Sequence, residues 1–170
     1  MVAIGCASTG AIPRPFPAPA GSAQPKAALP DPEAAPPATV GVDRPVVGFD
    51  GYALVGTALS LRGAPYRNGG GDPAGFDCSG FTQYVFAQYG VPLPREVREQ
   101  YRVGKHVKPR DLAPGDLLFF STTEHGVSHV AIAVGGDEFV HAPSSTGVVR
   151  VEHLSVAYWS ERFLGARRLD

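Results

Sequence analysis

The chain has 170 residues, 44% of them hydrophobic, and 15 Lys and Arg against 16 Asp and Glu give a formal net charge of −1. That is room for one globular domain with a real core, without the basic excess that nucleic acid selects and without an apolar run near the roughly 20 residues of a membrane span. Two cysteines make no disulfide framework, whereas the 17 prolines and 21 glycines are many and unevenly placed.

At the N-terminus, "MVAIGCAS" is a small apolar run ending in Gly-Cys, and it resembles the lipobox at which bacterial lipoproteins are cut and lipidated. Cys6 is then the lipid attachment site. A basic n-region and most of an h-region are missing, and Ala3 stands where Leu is more usual, so residues 1–5 read as the remnant of a signal peptide and lipobox, left by a misassigned start or a truncated chain. Ten prolines fall between Pro13 and Pro45 among Ala and small polar residues. Such a segment buries too little apolar surface to offset its ordering entropy, so residues 6–47 are expected to be a disordered linker. It would span about 40 Å as a flexible coil and about 130 Å in polyproline form, which suits a tether.

The folded domain is expected over residues 48–170. Asp50 caps a first helix whose buried positions are Tyr52, Val55 and Leu59 with Leu54, Ala58 and Leu61, stopped by Gly63. Asp77 caps a second helix with Phe81, Val85 and Tyr89 as its inner stripe and Gly90 and Pro92 as its stop. A short polar helix covers "PREVREQYR". After Pro114 the pattern turns to strands, "DLLFF", "SHVAIAV", "EFVHA", "VVRVEHL" and "RFLGARRL", bounded by turn residues. Helices followed by sequential strands predict an α+β domain with an antiparallel sheet.

The stretch "GFDCSGF" places Cys78 in the first turn of the second helix, where unpaired amides and the helix dipole favour a thiolate. An inert core cysteine is the competing reading, but position 78 lies off the apolar stripe, between Asp77 and a Ser-Gly pair. Gly75 and Gly80 are expected to let a substrate backbone approach. A nucleophilic cysteine needs a base. His106 and His153 lie among charged residues and read as solvated surface. His125 and His129 have the spacing of a helical zinc pair, yet no glutamate lies between them and a strand follows. His129 opens one strand and His141 lies on the next. A three-residue turn at Gly135–Asp137, pairing Val134 with Glu138, sets Ala131 opposite His141 and makes His129 its diagonal neighbour on one face. One imidazole can then take the thiol proton while the other hydrogen-bonds its far nitrogen.

"GAPYRNGGGDPAGFDCSGF", "LPR", "LAPGDLLFF" and "SHVAIAVGGDEFVHAP", in that order, resemble the NlpC family of bacterial cell-wall cysteine peptidases, compact relatives of papain, over about Tyr52 to Arg168. The resemblance implies Cys78 as nucleophile, His129 as general base and His141 as the polar residue orienting it. It implies that Tyr66 helps the Cys78 amide hold the oxyanion, and that Asp77, Ser79 and Arg95 lie by the substrate cleft. Glu96 and Val97 depart from the Ser or Thr that often follows the family's Pro-Arg pair. The implied activity is hydrolysis of amide bonds in the murein stem peptide or its crosslink through a cysteine thioester, by a periplasmic, lipid-anchored monomer with no cofactor and no metal. An acyltransferase or lipid-directed enzyme of the same fold, a silent scaffold lipoprotein, and a Cys-His-His zinc site are the competing readings.

Overall fold

A computed structural model describes residues 49–123 and 125–169. The expected lipobox with Cys6 and the proline-rich segment lie outside the described residues. The helices that the sequence predicts begin where their caps stand. Helix α1, Gly51–Ser60, starts after Asp50, whose carboxylate accepts the Tyr52 amide. Leu54, Val55 and Ala58 are its buried face. Tyr52, expected inside, is 76% exposed. It lies in the first turn beyond the edge of the buried stripe, where no neighbouring element covers it.

A two-stranded ribbon, β1 Gly71–Asp72 and β2 Gly75–Phe76, leads into helix α2, Cys78–Ala87. Asp77 caps α2 by accepting the Gly80 amide at 2.7 Å, an interaction worth about 1 kcal/mol. Gly90, at φ +74°, turns the chain out of α2 in the left-handed region that glycine tolerates. Helix α3, Val97–Gln100, is a single turn within the predicted polar segment.

Among the described residues the main sheet is antiparallel and has six strands. They are β3 Lys105–Val107, β4 Leu117–Phe120, β5 His129–Gly135, β6 Glu138–His141, β7 Arg150–His153 and β8 Phe163–Arg168. Their order is β3-β8-β4-β5-β6-β7. Helix α4, Ala157–Ser160, precedes β8. The β1–β2 ribbon, strand β3 and helix α4 are additions to the elements predicted from sequence; all are too short to carry a periodic signal of their own.

The sheet is covered on both faces, which explains why "LLFF" is apolar without alternation. Leu117 and Phe119 of β4, with Val130 and Ile132 of β5, pack toward the layer formed by α1 and α2. Leu118, Phe120, Ala131, Ala133 and Phe139 face the other way, toward Trp159 of α4 and Phe163. The β5–β6 turn closes differently from the expected one. Gly135 pairs with Glu138, and a bulge between Ala133 and Gly135 absorbs one residue. The bulge restores Ala133 opposite Phe139 and Ile132 opposite Val140, so the register continues toward Ala131 and His141 as expected.

Candidate active site

Helix α2 packs on β5 and brings Cys78 to the head of that strand, where His129 is the first residue. The backbone amides of Val130, Ser79 and Cys78 itself lie against the thiol. Cys78 is half-buried, and among the described residues it has no disulfide. Its thiol is not held below its ordinary value as the helix start led us to expect. Burial, and then the Asp77 carboxylate, push it up, and the three amides offset only part of that rise.

His129 and His141 meet directly, with Nε2 of His129 2.8 Å from Nδ1 of His141. They sit on the sheet face that carries Phe120, Phe139 and Trp159. Burial brings His129 down to about 4. Burial, with the charges of His129 and Arg150 adding, brings His141 down to about 2. Both imidazoles are therefore neutral in the folded protein near pH 7. The mutual contact also speaks against a shared zinc ion, whose ligands aim their donor atoms at a common point rather than at each other. Among the described residues no cluster of three His, Cys, Asp or Glu side chains converges to hold a metal.

An unfolded chain protonates both imidazoles near pH 6.5, while the folded one resists until about 4 or below. The stability these groups contribute is complete above pH 6.5 and is lost as pH falls below it. Melting temperatures measured between pH 7 and 4.5 are expected to fall on acidification, and to fall less steeply in His141→Gln. Equal slopes in the two proteins would contradict a neutral buried pair.

Tyr66 is brought near Cys78 by the loop after α1, which runs along β2 so that Tyr66 bridges Phe76 in parallel. Its phenol donates to Asn68 Oδ1 at 3.4 Å. Burial, followed by the Cys78 and Asp77 charges, raises its ionisation above the ordinary value, so it stays a hydrogen-bond donor.

Asp77, Ser79 and Arg95 converge on one another. The Arg95 guanidinium donates to Asp77 Oδ1 at 3.0 Å, to Ser79 Oγ at 2.8 Å and to the Gly70 carbonyl at 3.4 Å, and makes a short ion pair with Asp77 Oδ2. This cluster clamps the start of α2 and sets a cation against the carboxylate nearest the thiol. Gly75 and Gly80 also serve the chain itself rather than a ligand. A Cβ on Gly75 would lie 2.6 Å from Cβ of Arg67, and one on Gly80 would lie 2.0 Å from the Gly70 carbonyl oxygen. The space beside them is taken by the preceding loop.

Two further side chains support the site without a motif to mark them. Gln100, fully buried, donates to the Ser79 carbonyl at 3.0 Å and the Pro94 carbonyl at 2.8 Å while accepting from Thr82 at 2.7 Å. Nothing in the polar run "VREQ" marks it. Trp159 packs against both histidines; its being the chain's one tryptophan was the available signal. His106, His125 and His153 are exposed, the last beside Asp137.

A cysteine at a helix start, set at the head of a strand whose histidine is paired with a second one on the neighbouring strand, defines a papain-like cysteine-hydrolase arrangement. The chain belongs to the NlpC/P60 family, whose model matches residues 63–168. It is 42% identical over 120 residues to the Gamma-DL-glutamyl hydrolase of Bacillus subtilis, covering 68% of this chain and 29% of that protein. It is also 42% identical over 109 residues to Murein DD-endopeptidase MepS/Murein LD-carboxypeptidase of Escherichia coli, covering 64% of this chain and 57% of that one. The chain thus spans less than two thirds of the length of these relatives. Among solved structures, an NlpC/P60 family protein from Bacillus cereus superposes with TM-score 0.67 at 34% identity over 70% of this chain and 40% of that one. The NlpC/p60 domain of the peptidoglycan hydrolase SagA superposes with TM-score 0.63 at 36% identity, over 71% of this chain and all of that domain.

Proposed function

We propose that the domain is a cysteine-type peptidoglycan hydrolase that cleaves an amide of the stem peptide or its crosslink through a thioester on Cys78. The observation that carries this reading is the His129–His141 contact at the head of β5, where the Cys78 thiol lies against the backbone amide of Val130, the residue after His129. With Nε2 engaged by His141, Nδ1 is the nitrogen of His129 left to accept the thiol proton. Burial disfavours charge on both groups, so the resting pair is neutral thiol and neutral imidazole, and proton transfer accompanies attack on the carbonyl. The Cys78 backbone N–H lies in the first turn of α2, where it lacks an intrahelical partner, and it and the Tyr66 phenol stabilise the oxyanion. His129 then returns its proton to the departing amine, and water, activated by the same imidazole, releases the acyl group.

The amine therefore leaves on the His129 side. A cavity of about 160 Å³ adjoins it there, walled by Thr122, Ser144, Ser145, Tyr158 and Trp159, and receives the amine-side residue. The two relatives at 42% identity are named for different bonds. The bond cleaved here is either D-glutamyl, through the γ-carboxyl, to diaminopimelate or the D-alanyl crosslink. Asp77, Ser79 and Arg95 frame the acyl side, Arg95 acting chiefly through Asp77. Cys6 carries a diacylglycerol anchor that holds a monomer on the extracytoplasmic side; an unmodified Cys6 in the intact mass of the membrane-extracted protein would refute the anchor alone.

Incubating the purified chain with peptidoglycan and weighing the released fragments tests the activity. Peptides cut at one stem or crosslink amide are expected from the wild type and none from Cys78→Ala; no fragments from the wild type would overturn the reading. Two further results are expected. The rate of Cys78 alkylation by iodoacetamide should rise only at or above the ordinary thiol range of about 8.5, and a plateau reached well below it would contradict the neutral resting pair. Tyr66→Phe should lower turnover roughly 10² to 10³-fold, the scale of one missing oxyanion donor; an unchanged rate would remove Tyr66 from that role.

A further inference from the structure

A second cavity borders the one beside His129. The first, of about 160 Å³, and the second, of about 310 Å³, have Thr122 and Thr123 in common as walls. His129 lines the first, while Ser121, His125 and Arg162 complete the second. Tyr158 joins them as well: it walls the first, and the Arg162 guanidinium lies 4.1 Å from the centre of its ring. The seam is tied to the strand that carries the base. The Thr122 amide donates to Ser128 Oγ at 2.8 Å, one residue before His129, and the Ser121 amide donates to the Arg162 carbonyl at 2.9 Å.

The side chains lining the second cavity are all polar, and Arg162 is the one among them with a permanent charge. Its Nη1 donates to the Tyr158 carbonyl at 3.0 Å and lies 3.8 Å from the exposed Glu161 carboxylate, a pair that water screens. Both contacts use Nη1. The Nε–Nη2 edge of a guanidinium carries the parallel N–H groups that match a carboxylate, and stacking on Tyr158 restrains the plane, so less side-chain freedom is lost on binding.

The amine-side residue of both bonds considered above is diaminopimelate, which has a carboxyl group at each end. Released from D-glutamate, it bears a free carboxylate at the end remote from the reacting amine. Released from D-alanine, it bears one beside that amine, and its remote end continues into a stem peptide. A cation one cavity away from the base suits the first case. We propose that Arg162 sets specificity on the leaving side, binding the remote carboxylate of diaminopimelate and so favouring the D-glutamyl bond; this role rests on reading the cavity beside His129 as the place of the amine-side residue.

The test uses the full chain and two synthetic peptides, L-alanyl-γ-D-glutamyl-diaminopimelate with the remote carboxyl free or amidated. Wild-type kcat/KM is expected to be about tenfold or more higher on the free acid, chiefly through KM. Arg162→Gln should bring the free acid down to the amide, and Arg162→Lys, which keeps the charge without the fork, should retain part of the preference. Equal kcat/KM on the two peptides in the wild type would overturn the proposal. Arg162→Gln slowing both peptides alike would overturn it too, as the mark of a residue that only holds α4 through Tyr158. So would cleavage of crosslinked muropeptides with neither peptide cut. Should Arg162→Gln fail to fold, the wild-type preference and its reduction in Arg162→Lys decide. Calorimetric binding of the same peptides to Cys78→Ala needs no turnover: tighter binding of the free acid, lost on adding Arg162→Gln, is expected, and equal binding would overturn the role. A chain that cuts nothing yet discriminates in that assay would fail as a hydrolase and keep this site, so the two readings fall separately.

Discussion

Replacing His129 with alanine is expected to lower peptidoglycan hydrolysis roughly 10⁴-fold, close to the background left by Cys78→Ala, because without a base a thiol held above its ordinary value stays protonated. His141→Gln and His141→Asn should lose far less, roughly 10- to 100-fold, since an amide oxygen can still accept from His129 Nε2. The ordering is the informative result. Measured on soluble muropeptides with the fold verified by circular dichroism, wild-type turnover in His129→Ala would refute the assignment of the base. Equal losses in all three variants would show that His141 does more than orient His129.

The second large effect is expected from a single methyl group at Gly80. Its Cβ would stand 2.0 Å from the Gly70 carbonyl oxygen and 3.0 Å from Asp77 Oδ1. That same carbonyl accepts the Asp77 amide at 3.1 Å and receives Arg95, so the clash pushes on the cap, the clamp and the first turn of α2 together. Overpacking of this kind costs about 1 to 3 kcal/mol. A shift of about 1 Å in the nucleophile costs roughly 10²-fold in rate. Gly80→Ala is therefore expected to melt lower and to be at least 10²-fold slower. Gly56→Ala, in α1 with nothing within 4 Å of the added carbon, should be neutral or stabilising by up to about 1 kcal/mol. A Gly80→Ala protein as active as Gly56→Ala would mean that the loop yields without moving Cys78.

Much of this was legible in the chain because it is local. Asp50 and Asp77 act on amides two or three residues away, and Gly90 acts through its own φ. Five strands were visible as short apolar runs between turn residues. The sites of Cys78, His129 and His141 followed from a helix start and two adjacent strands. The hairpin register toward His141 was anticipated even though its turn was not, because a one-residue bulge near Gly135 compensates the shorter loop without turning the inward faces outward.

The order of elements, their caps, and the placing of a cysteine at a helix start ahead of two strand histidines can be read from the chain, because each depends on near neighbours in it. What surrounds those groups is set by packing. That Tyr52 lies outside, that Gly80 faces Gly70, that Arg95 is spent on Asp77 and Ser79, and that Trp159 closes over the histidine pair all depend on contacts between elements far apart in the chain. The protonation of the site belongs to that second group. A helix start alone argues for a thiolate, but burial and the Asp77 carboxylate outweigh the amides, because desolvation is set by everything packed around the sulfur, and no stretch of sequence contains it.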